Sequence, residues 1–289
     1  TVDKGLLARS QSESLHHVSL TYFRVIKKGA LIFNQSDDEE VTRGGIQEQH
    51  YMKLLLPVTL EGLAKFAHLI NMDTVIDLLG VLKPLLENVD KLPLDAAVNC
   101  VLTAFQTLQG PGKELQIDQK EYLTPLYAQL PRLCSDHNSQ YTSIALKCLE
   151  AAFVRRRDYS LARVAAFIKR LLIVAMHTPP HCSAALAAFV RSLTGRYSGV
   201  HKLLENEQDN VSSGAYNPDA DDPERANPFA TCAWELGTLR FHIHPEIVRQ
   251  ADHCAKLKLM QLPREAPENL YKELLQNAND GFICPVSYT

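Results

Sequence analysis

The stretch RRRDYSLARVAAFIKRLLIVAMH, residues 155–177, decides the fold class of this chain. Its apolar residues recur three and four positions apart, the spacing of side chains along one face of an α-helix. The apolar face consists of Val164, Phe167, Ile168, Leu171, Leu172 and Ala175. The stretch therefore predicts an amphipathic helix that begins near residue 159.

The same helical spacing recurs on both sides of this stretch. It predicts helix starts near residues 13, 50, 72, 93, 118, 139, 159 and 179. No run of alternating apolar and polar residues with turn signals occurs, so we predict an all-α chain. Once a polar insert (34–49) is discounted, a helix pair takes about 40 to 47 residues, as in HEAT and armadillo repeats. We predict an α-solenoid of HEAT/armadillo-like helix pairs, with an irregular helical bundle as the alternative because the repeats share little sequence.

Proline and glycine positions refine these helices. Pro93 is well placed to start one helix, and the Gly110–Gly112 turn should end it. Asp118 offers an N-cap for the following helix. Pro57 and Pro84 stand inside helical patterns and should kink or split their helices.

Composition suggests three regions. We predict a helical-repeat region over residues 1–205, an acidic proline-containing linker over 206–227, and C-terminal helices with a tail over 228–289. The third region contains Trp234, the single tryptophan, which we expect to fill the core at the end of the stack. In the His-x-His-Pro sequence that follows, His244 should mark a corner between helices, its imidazole serving the last carbonyls of the Trp234 helix.

Length and cysteine content set further bounds. A folded chain of 289 residues buries about 75% of the surface that its unfolded form exposes. The seven cysteines form an odd set without a C-x-x-C pair, which favours buried thiols in a reducing compartment. No apolar run reaches the ~20 residues of a membrane-spanning helix, so we expect a soluble chain with no membrane association.

The net charge of −3 conceals a strong asymmetry. Ten lysines and arginines stand between Lys147 and Lys202 against two acids, a balance near +8. From Glu205 to Glu224 all the Asp, Glu, Lys and Arg residues are acids. The basic segment could hold nucleic acid, or the two segments could neutralise each other.

Two sets of candidate site residues follow from this asymmetry. The first could contact RNA phosphates without reading bases: Arg155, Arg156, Arg157, Arg163, Lys169 and Arg170. A charged ridge that touches only water is the alternative. The second could dock a protein or clamp the chain onto itself, in an extended form stiffened by prolines: Asp219, Asp221, Asp222 and Glu224.

Catalytic and metal-binding patterns are weak. The sequence has no G-x-S-x-G, G-x-G-x-x-G or H-E-x-x-H motif, and the glycines near Lys113 lack the first glycine of a phosphate loop. The histidines and cysteines between Cys232 and Cys254 lack the pair spacings of zinc sites. We therefore predict no enzyme, no cofactor, no metal and no small-molecule substrate.

Several blocks together resemble the CCAAT-binding-factor/Mak21-type domain family. They are LTYFRVIKK (20–28), LLPVTLEGLAKFAHLINMD (55–73), NCVLTAFQTLQGPGKELQID (99–118), RRRDYSLARVAAFIKRLLIVAMH (155–177) and NPDADDPERANPFATCAWELGTLRFHIHP (217–245). The resemblance extends over roughly residues 15–289. It is most specific to the C-terminal part of one nucleolar member of the family. The chain departs from the family pattern at Cys232 and Ala233 and at Ile243, which stands where an aromatic residue is usual.

The resemblance implies a function that the residues alone do not specify. Members of the family are non-enzymatic helical-repeat assembly factors of the large ribosomal subunit in the nucleus and nucleolus. The implied partners are nucleolar complex-associated protein 2, the pre-60S ribosomal particle and precursor ribosomal RNA. The alternative is a protein-only helical scaffold in nuclear transport, transcription or DNA replication licensing, whose basic ridge would bind acidic peptides.

Overall fold

The computed structural model describes residues 4–34, 43–67, 72–109, 112, 120–154, 159–204, 213–256 and 266–279. Within these ranges the chain is helical and has no β-strand, which confirms the all-α prediction. The α-helices are α1 (Lys4–Asn34), α2 (Arg43–Phe66), α3 (Met72–Glu87), α4 (Leu94–Gln109), α5 (Lys120–Gln129), α6 (Thr142–Phe153), α7 (Leu161–Met176), α8 (Pro180–Arg196), α9 (Trp234–Leu239), α10 (Pro245–Ala255) and α11 (Pro267–Asn279). Short 3-10 segments lie at Val89–Lys91, Leu130–Cys134, Asp136–Tyr141, Ser198–Leu204 and Pro228–Ala230.

The predicted starts agree with the structure from α3 to α8 and differ for the first two helices. α1 begins at Lys4 rather than near residue 13, and α2 begins at Arg43 rather than near residue 50. The last part of the predicted insert is therefore helical. Its polar residues Gln47 and Glu48 lie on the exposed face of α2, where polar side chains do not interrupt a helix.

Proline does not divide the helices as predicted. Pro57 lies inside α2 and Pro84 inside α3, and both helices continue through them, so the expected split is wrong. A proline removes one backbone donor, and the packing of buried neighbours offsets that loss. As expected, α4 starts directly after Pro93, whose carbonyl accepts from the Ala97 N–H at 3.0 Å. The predicted cap Asp118 lies outside the described residues.

The chain divides into two compact units, Thr1–Gln129 and Leu130–Thr289. This division differs from the one suggested by composition, which placed boundaries near residues 205 and 227. The described part of the acidic segment belongs to the second unit because its residues bond to α7, as shown below. None of the helices described by the structure has the length and apolar composition that crossing a bilayer requires.

In the first unit, α2 packs against α1 and α4, and α3 packs against α1 and α4. Leu56, Leu60 and Phe105 are fully buried between these helices. A buried hydroxyl joins α4 to α2, because Thr103 Oγ1 donates to the carbonyl of Leu60 at 3.2 Å and to that of Asn99 at 2.7 Å. The first unit thus has its own apolar core.

In the second unit, α8 packs against α7, α10 and α11. The rings of Phe153 and Phe167 meet edge to face, with centroids 4.8 Å apart. Every residue of α7 from Val164 to Leu172 is buried. The helix predicted from residues 155–177 is therefore an interior helix, and its polar side is covered as well as its apolar side.

The cysteines follow the same pattern. Among the described residues, Cys100, Cys148, Cys182 and Cys254 are buried free thiols, and Cys134 and Cys232 are half-buried free thiols. Burial raises the pKa of Cys254 to about 11. The Cys254 thiol is therefore protonated at neutral pH and poorly nucleophilic.

Candidate functional site

The structure separates the predicted RNA-contacting residues. Arg155, Arg156 and Arg157 lie outside the described residues. Lys169 is 0% exposed and Arg170 is buried, while the Arg163 side chain is mostly buried. An exposed basic ridge along α7 is therefore incorrect for Lys169 and Arg170, because neither head group faces solvent. RNA contact by Arg155–Arg157 stays a prediction.

Lys169 lies at the centre of a buried polar cluster. Its ammonium Nζ is 2.6 Å from Oε1 of Glu235 on α9, which is also fully buried. It donates to the carbonyl of Cys232 at 2.7 Å. The aromatic rings of Tyr216 and Trp234 lie nearby, with centroids 5.0 Å and 5.6 Å from Nζ. The cation is thus stabilised by a carboxylate, a carbonyl and two π faces.

The neighbouring arginines bind the acidic segment, whose residues 217–226 we call the arm. The guanidinium of Arg170 donates to the carbonyls of Pro218 and Ala220 at 2.5 Å and 2.7 Å. Arg163, whose guanidinium also lies over the ring of Tyr159, forms an ion pair with Glu224. The arm is therefore clamped onto α7 within the same molecule, the second of the two roles considered for it.

The arm is a closed loop rather than the extended segment that its prolines suggested. The Asn217 N–H donates to the carbonyl of Ala226 at 2.9 Å and so joins the two ends of the arm. Asn217 and Asp222 each accept through a side-chain oxygen from the backbone N–H two residues later, as in Asx turns. Asn227 then adopts a left-handed conformation with a φ of 49°. Local side-chain caps outweigh the proline preference for extended backbone here.

The small apolar residues of the arm are buried and most of its acidic residues are exposed. Ala220, Pro223 and Ala226 are buried at a spacing of three, whereas Asp219 and Asp221 are exposed. Glu224 is exposed and pairs with Arg163, and Asp222 is half-buried.

Glu235 was not among the predicted site residues. Burial raises the pKa of this carboxyl group, and the hydrogen bond and charge of Lys169 oppose that rise. The signal that could have found it is a pair of opposite charges in two apolar blocks: Glu235 between Trp234 and Leu236, and Lys169 next to Ile168. Charged residues in such positions are rarely fully buried unless they are paired.

Trp234 does not fill the core as predicted. Its side chain is 50% exposed, and α9 buries Glu235, Leu236 and Leu239 instead. One face of the indole lies over Lys169, which orients the ring without enclosing it. The prediction failed because it assigned the interior position to the largest apolar residue rather than to the charged residue beside it.

The corner between α9 and α10 is built from two histidines. His244 is the N-cap of α10, where its Nδ1 accepts from the Glu246 N–H at 3.3 Å. Nδ1 of His242 accepts from the His244 N–H at 2.9 Å. The predicted corner is confirmed, but the His244 imidazole serves the start of α10 rather than the end of α9. Burial lowers the pKa of both histidines, which suits their role as acceptors.

This site connects three segments of the second unit: α7, the arm, and the α9–α10 corner. Lys169 pairs with Glu235 and Arg163 pairs with Glu224. Within the described ranges no group of three or more His, Cys, Asp or Glu side chains could hold a metal ion. The contacts observed here are those of a structural anchor that fixes a surface loop.

Comparison with known proteins covers this whole region. A family model described as the CBF/Mak21 family matches residues 97–251, more than half of the chain and including α7, the arm and most of α10. The chain is 38% identical over 243 residues to the Homo sapiens nucleolar complex protein 3 homolog, covering 84% of this chain and 27% of that protein. For the Mus musculus homolog the identity is 38% over 264 residues, covering 91% and 29%.

A more distant relative carries a similar name. Nucleolar complex-associated protein 3 of Saccharomyces cerevisiae is 27% identical over 272 residues, covering 83% of this chain and 38% of that protein. The chain thus spans less than a third of the length of the mammalian relatives. The family model and these relatives together establish that the chain belongs to the CBF/Mak21 family.

Proposed function

We propose that this chain is part of a non-enzymatic nucleolar assembly factor for the large ribosomal subunit. The observation that carries the proposal is its 38% identity, over most of its length, to proteins named nucleolar complex protein 3. The name of these relatives supports a nucleolar location for this chain, within the nucleus. A scaffold of this kind contributes shape and charge, and it needs no cofactor.

The proposed architecture is an α-solenoid, in which stacked helix pairs offer a long surface to other molecules. The all-helical elements support it, and an irregular helical bundle remains the competing arrangement. The proposed partners are nucleolar complex-associated protein 2, precursor ribosomal RNA and other factors of the pre-60S particle.

Two surfaces are proposed for these contacts. Arg155, Arg156 and Arg157 supply positive charge directly after α6, in a form suited to RNA phosphates. Asp219 and Asp221 offer exposed carboxylates on a loop that is held by Arg170. A loop fixed in this way binds a partner with a smaller loss of conformational entropy than a free segment does.

A protein-only scaffold is the second candidate, and one observation favours it. Arg163, Lys169 and Arg170, three of the six cations proposed to contact RNA, are engaged in contacts within the second unit. This removes three contacts from any phosphate-binding surface.

Gradient sedimentation of the tagged protein distinguishes the two candidates. We expect the protein to migrate with large-subunit precursors and to shift to lighter fractions after ribonuclease treatment. Migration as a light species before and after ribonuclease would favour the protein-only scaffold. A variant with Arg155, Arg156 and Arg157 changed to Glu should cross-link less to precursor ribosomal RNA. Lys91→Glu, a charge reversal at an exposed lysine of the first unit, is the control and should leave cross-linking unchanged.

A further inference from the structure

The middle of α2 carries apolar side chains on two faces. Its inner face buries Met52, Leu56 and Leu60 in the first unit. Its outer face exposes four large apolar side chains at a spacing of three, four and seven residues: Tyr51 (60% exposed), Leu54 (63%), Leu55 (47%) and Val58 (67%). Contiguous exposed apolar side chains of this kind mark a surface that binds another molecule.

The apolar surface extends from α2 onto α1. Lys28 Nζ on α1 is 2.7 Å from Glu48 Oε1 on α2, so these two helix faces lie side by side. Leu31 follows Lys28 by three positions and is 64% exposed, and Tyr51 follows Glu48 by three positions. Residues three apart share a helix face. We call the surface formed by Leu31, Tyr51, Leu54, Leu55 and Val58 the outer patch.

The outer patch is large for an exposed surface and small for a dimer interface. Its five side chains expose on the order of 600 Å², at the upper end of what a soluble monomer typically shows. A standard interface buries about 800 Å² on each partner. The patch alone therefore falls short of a stable self-association surface, although it suffices for two to three turns of a docked helix.

The rim of the outer patch is basic. The exposed charged side chains beside the patch are Arg24, Lys27, Lys28 and Lys65 against Glu48 and Glu61. Glu48 pairs with Lys28 and Glu61 pairs with Lys65, so Arg24 and Lys27 supply the excess positive charge. A second copy would bring two basic rims together, which is unfavourable, whereas acidic side chains on a partner would complement the rim.

We propose that the outer patch docks an amphipathic helix of a partner protein, with an apolar ridge over the patch and acidic residues over the basic rim. The spacing of the exposed side chains matches the way a helix ridge fits into the groove of another helix. The apolar centre has no groups that bind RNA phosphates. The inference is independent of the RNA contacts proposed above, because it concerns the first unit and a protein ligand.

Binding of synthetic peptides to the intact chain tests the proposal. One probe is a helical peptide with leucines at positions i, i+3, i+4 and i+7 and glutamates beside them, and the second carries lysines in place of those glutamates. By fluorescence anisotropy we expect the acidic peptide to bind at least tenfold more tightly than the basic one. Equal binding of the two peptides, or binding of neither, would overturn the proposal.

Variants locate the binding on the chain. Changing Leu54 and Val58 to Gln should raise the dissociation constant of the acidic peptide at least tenfold. Arg24→Glu, at an exposed residue of the rim, should reduce the preference for acidic flanks. Phe241→Gln, at an apolar side chain that is 91% exposed in the second unit, is the matched control and should change nothing. Both affected positions are exposed, so circular dichroism should show unchanged helix content.

A photo-cross-linking residue at Val58 identifies the occupant in cells. We expect a cross-linked peptide from another protein that has the apolar spacing and acidic flanks and that binds as a synthetic peptide. Cross-links to a second copy, to residues 35–42 of the same chain or to RNA would overturn the proposal. The absence of any cross-link would do so as well.

Discussion

Lys169 is a cation that is fully buried in the structure. Burying an ammonium ion costs several kcal/mol unless its charge and its donors are matched. Here Glu235 Oε1 lies 2.6 Å away, and the carbonyl of Cys232 accepts at 2.7 Å. Because the pair lies between α7 and α9, each charge fixes the position of the other helix.

Removal of one member of this pair should be far worse than removal of both. Lys169→Met or Glu235→Leu alone leaves a buried charge without its partner, which should lower the free energy of unfolding by about 3–5 kcal/mol. The double variant should lose much less than the sum of the two single losses. Urea unfolding followed by circular dichroism measures all three values, and simple additivity would contradict the assigned role.

Protonation of the corner histidines should weaken the second unit. Burial holds the pKa of His242 and His244 below the ordinary value of 6.5, so the unfolded chain takes up protons that the folded chain does not. The contribution of these two histidines to the free energy of unfolding should therefore be fully present above about pH 6.5 and be lost as the pH decreases below that value. A protonated Nδ1 also cannot accept from the backbone N–H groups of His244 and Glu246.

Asparagine substitutions isolate this contribution. Asn retains a capping acceptor and does not titrate, whereas His244→Ala should cost about 1 kcal/mol at neutral pH. For the variant with both His242 and His244 changed to Asn, we expect a smaller fall in melting temperature between pH 7.5 and 5.5 than in the parent chain. His181, whose pKa burial also lowers, should account for part of the remaining fall. An identical fall in both proteins would refute the assignment.

At the scale of elements, the arm is held against α7 by two arginines of that helix. Arg170 donates to the carbonyls of Pro218 and Ala220, and Arg163 pairs with Glu224. The arm buries Ala220, Pro223 and Ala226, while Asp219 and Asp221 remain exposed.

Loss of the Arg170 head group should loosen the arm more than it unfolds the chain. Arg170→Met keeps the apolar stem and removes the donors to Pro218 and Ala220, and a hydrogen bond to a charged group is worth about 1.5–3 kcal/mol. We expect faster amide hydrogen exchange over residues 217–226 and little change in α8. Asp221→Asn, at an exposed carboxylate of the same loop, should leave exchange unchanged. Equal protection in Arg170→Met and in the parent would show that the arm is held by other contacts.

The helices could be predicted from sequence more fully than the site. Their spacing of apolar residues is local, and the starts of α3 and α4 lie within one residue of the predicted positions 72 and 93. The fate of Lys169 depends instead on Glu235 and on Tyr216, which lie more than forty positions away along the chain. Periodicity assigns a residue to a helix face, but it does not state what covers that face.

Charge is distributed unevenly along the chain, and burial reduces the positive charge that is available to bind other molecules. The excess near +8 between Lys147 and Lys202 includes Lys169, Arg170 and Arg163, which are engaged with Glu235 and the arm. Within the RNA-contacting set proposed from sequence, this leaves Arg155, Arg156 and Arg157. The arm thus lowers the effective positive charge of the second unit.

The salt dependence of RNA binding should report this smaller number of contacts. Each phosphate contact contributes roughly −0.7 to −0.9 to the slope of log K against log salt, so three contacts give about −2 to −3, compared with about −4 to −5 for six. Changing Arg155, Arg156 and Arg157 to Ala should reduce the slope for a structured precursor ribosomal RNA fragment by about 2 to 3. The double variant Lys169→Met with Glu235→Leu is the control, and its slope should equal that of the parent because the Lys169 ammonium group faces Glu235 rather than solvent. A reduced slope in that control would show that Lys169 reaches the RNA and that the arm opens when RNA binds.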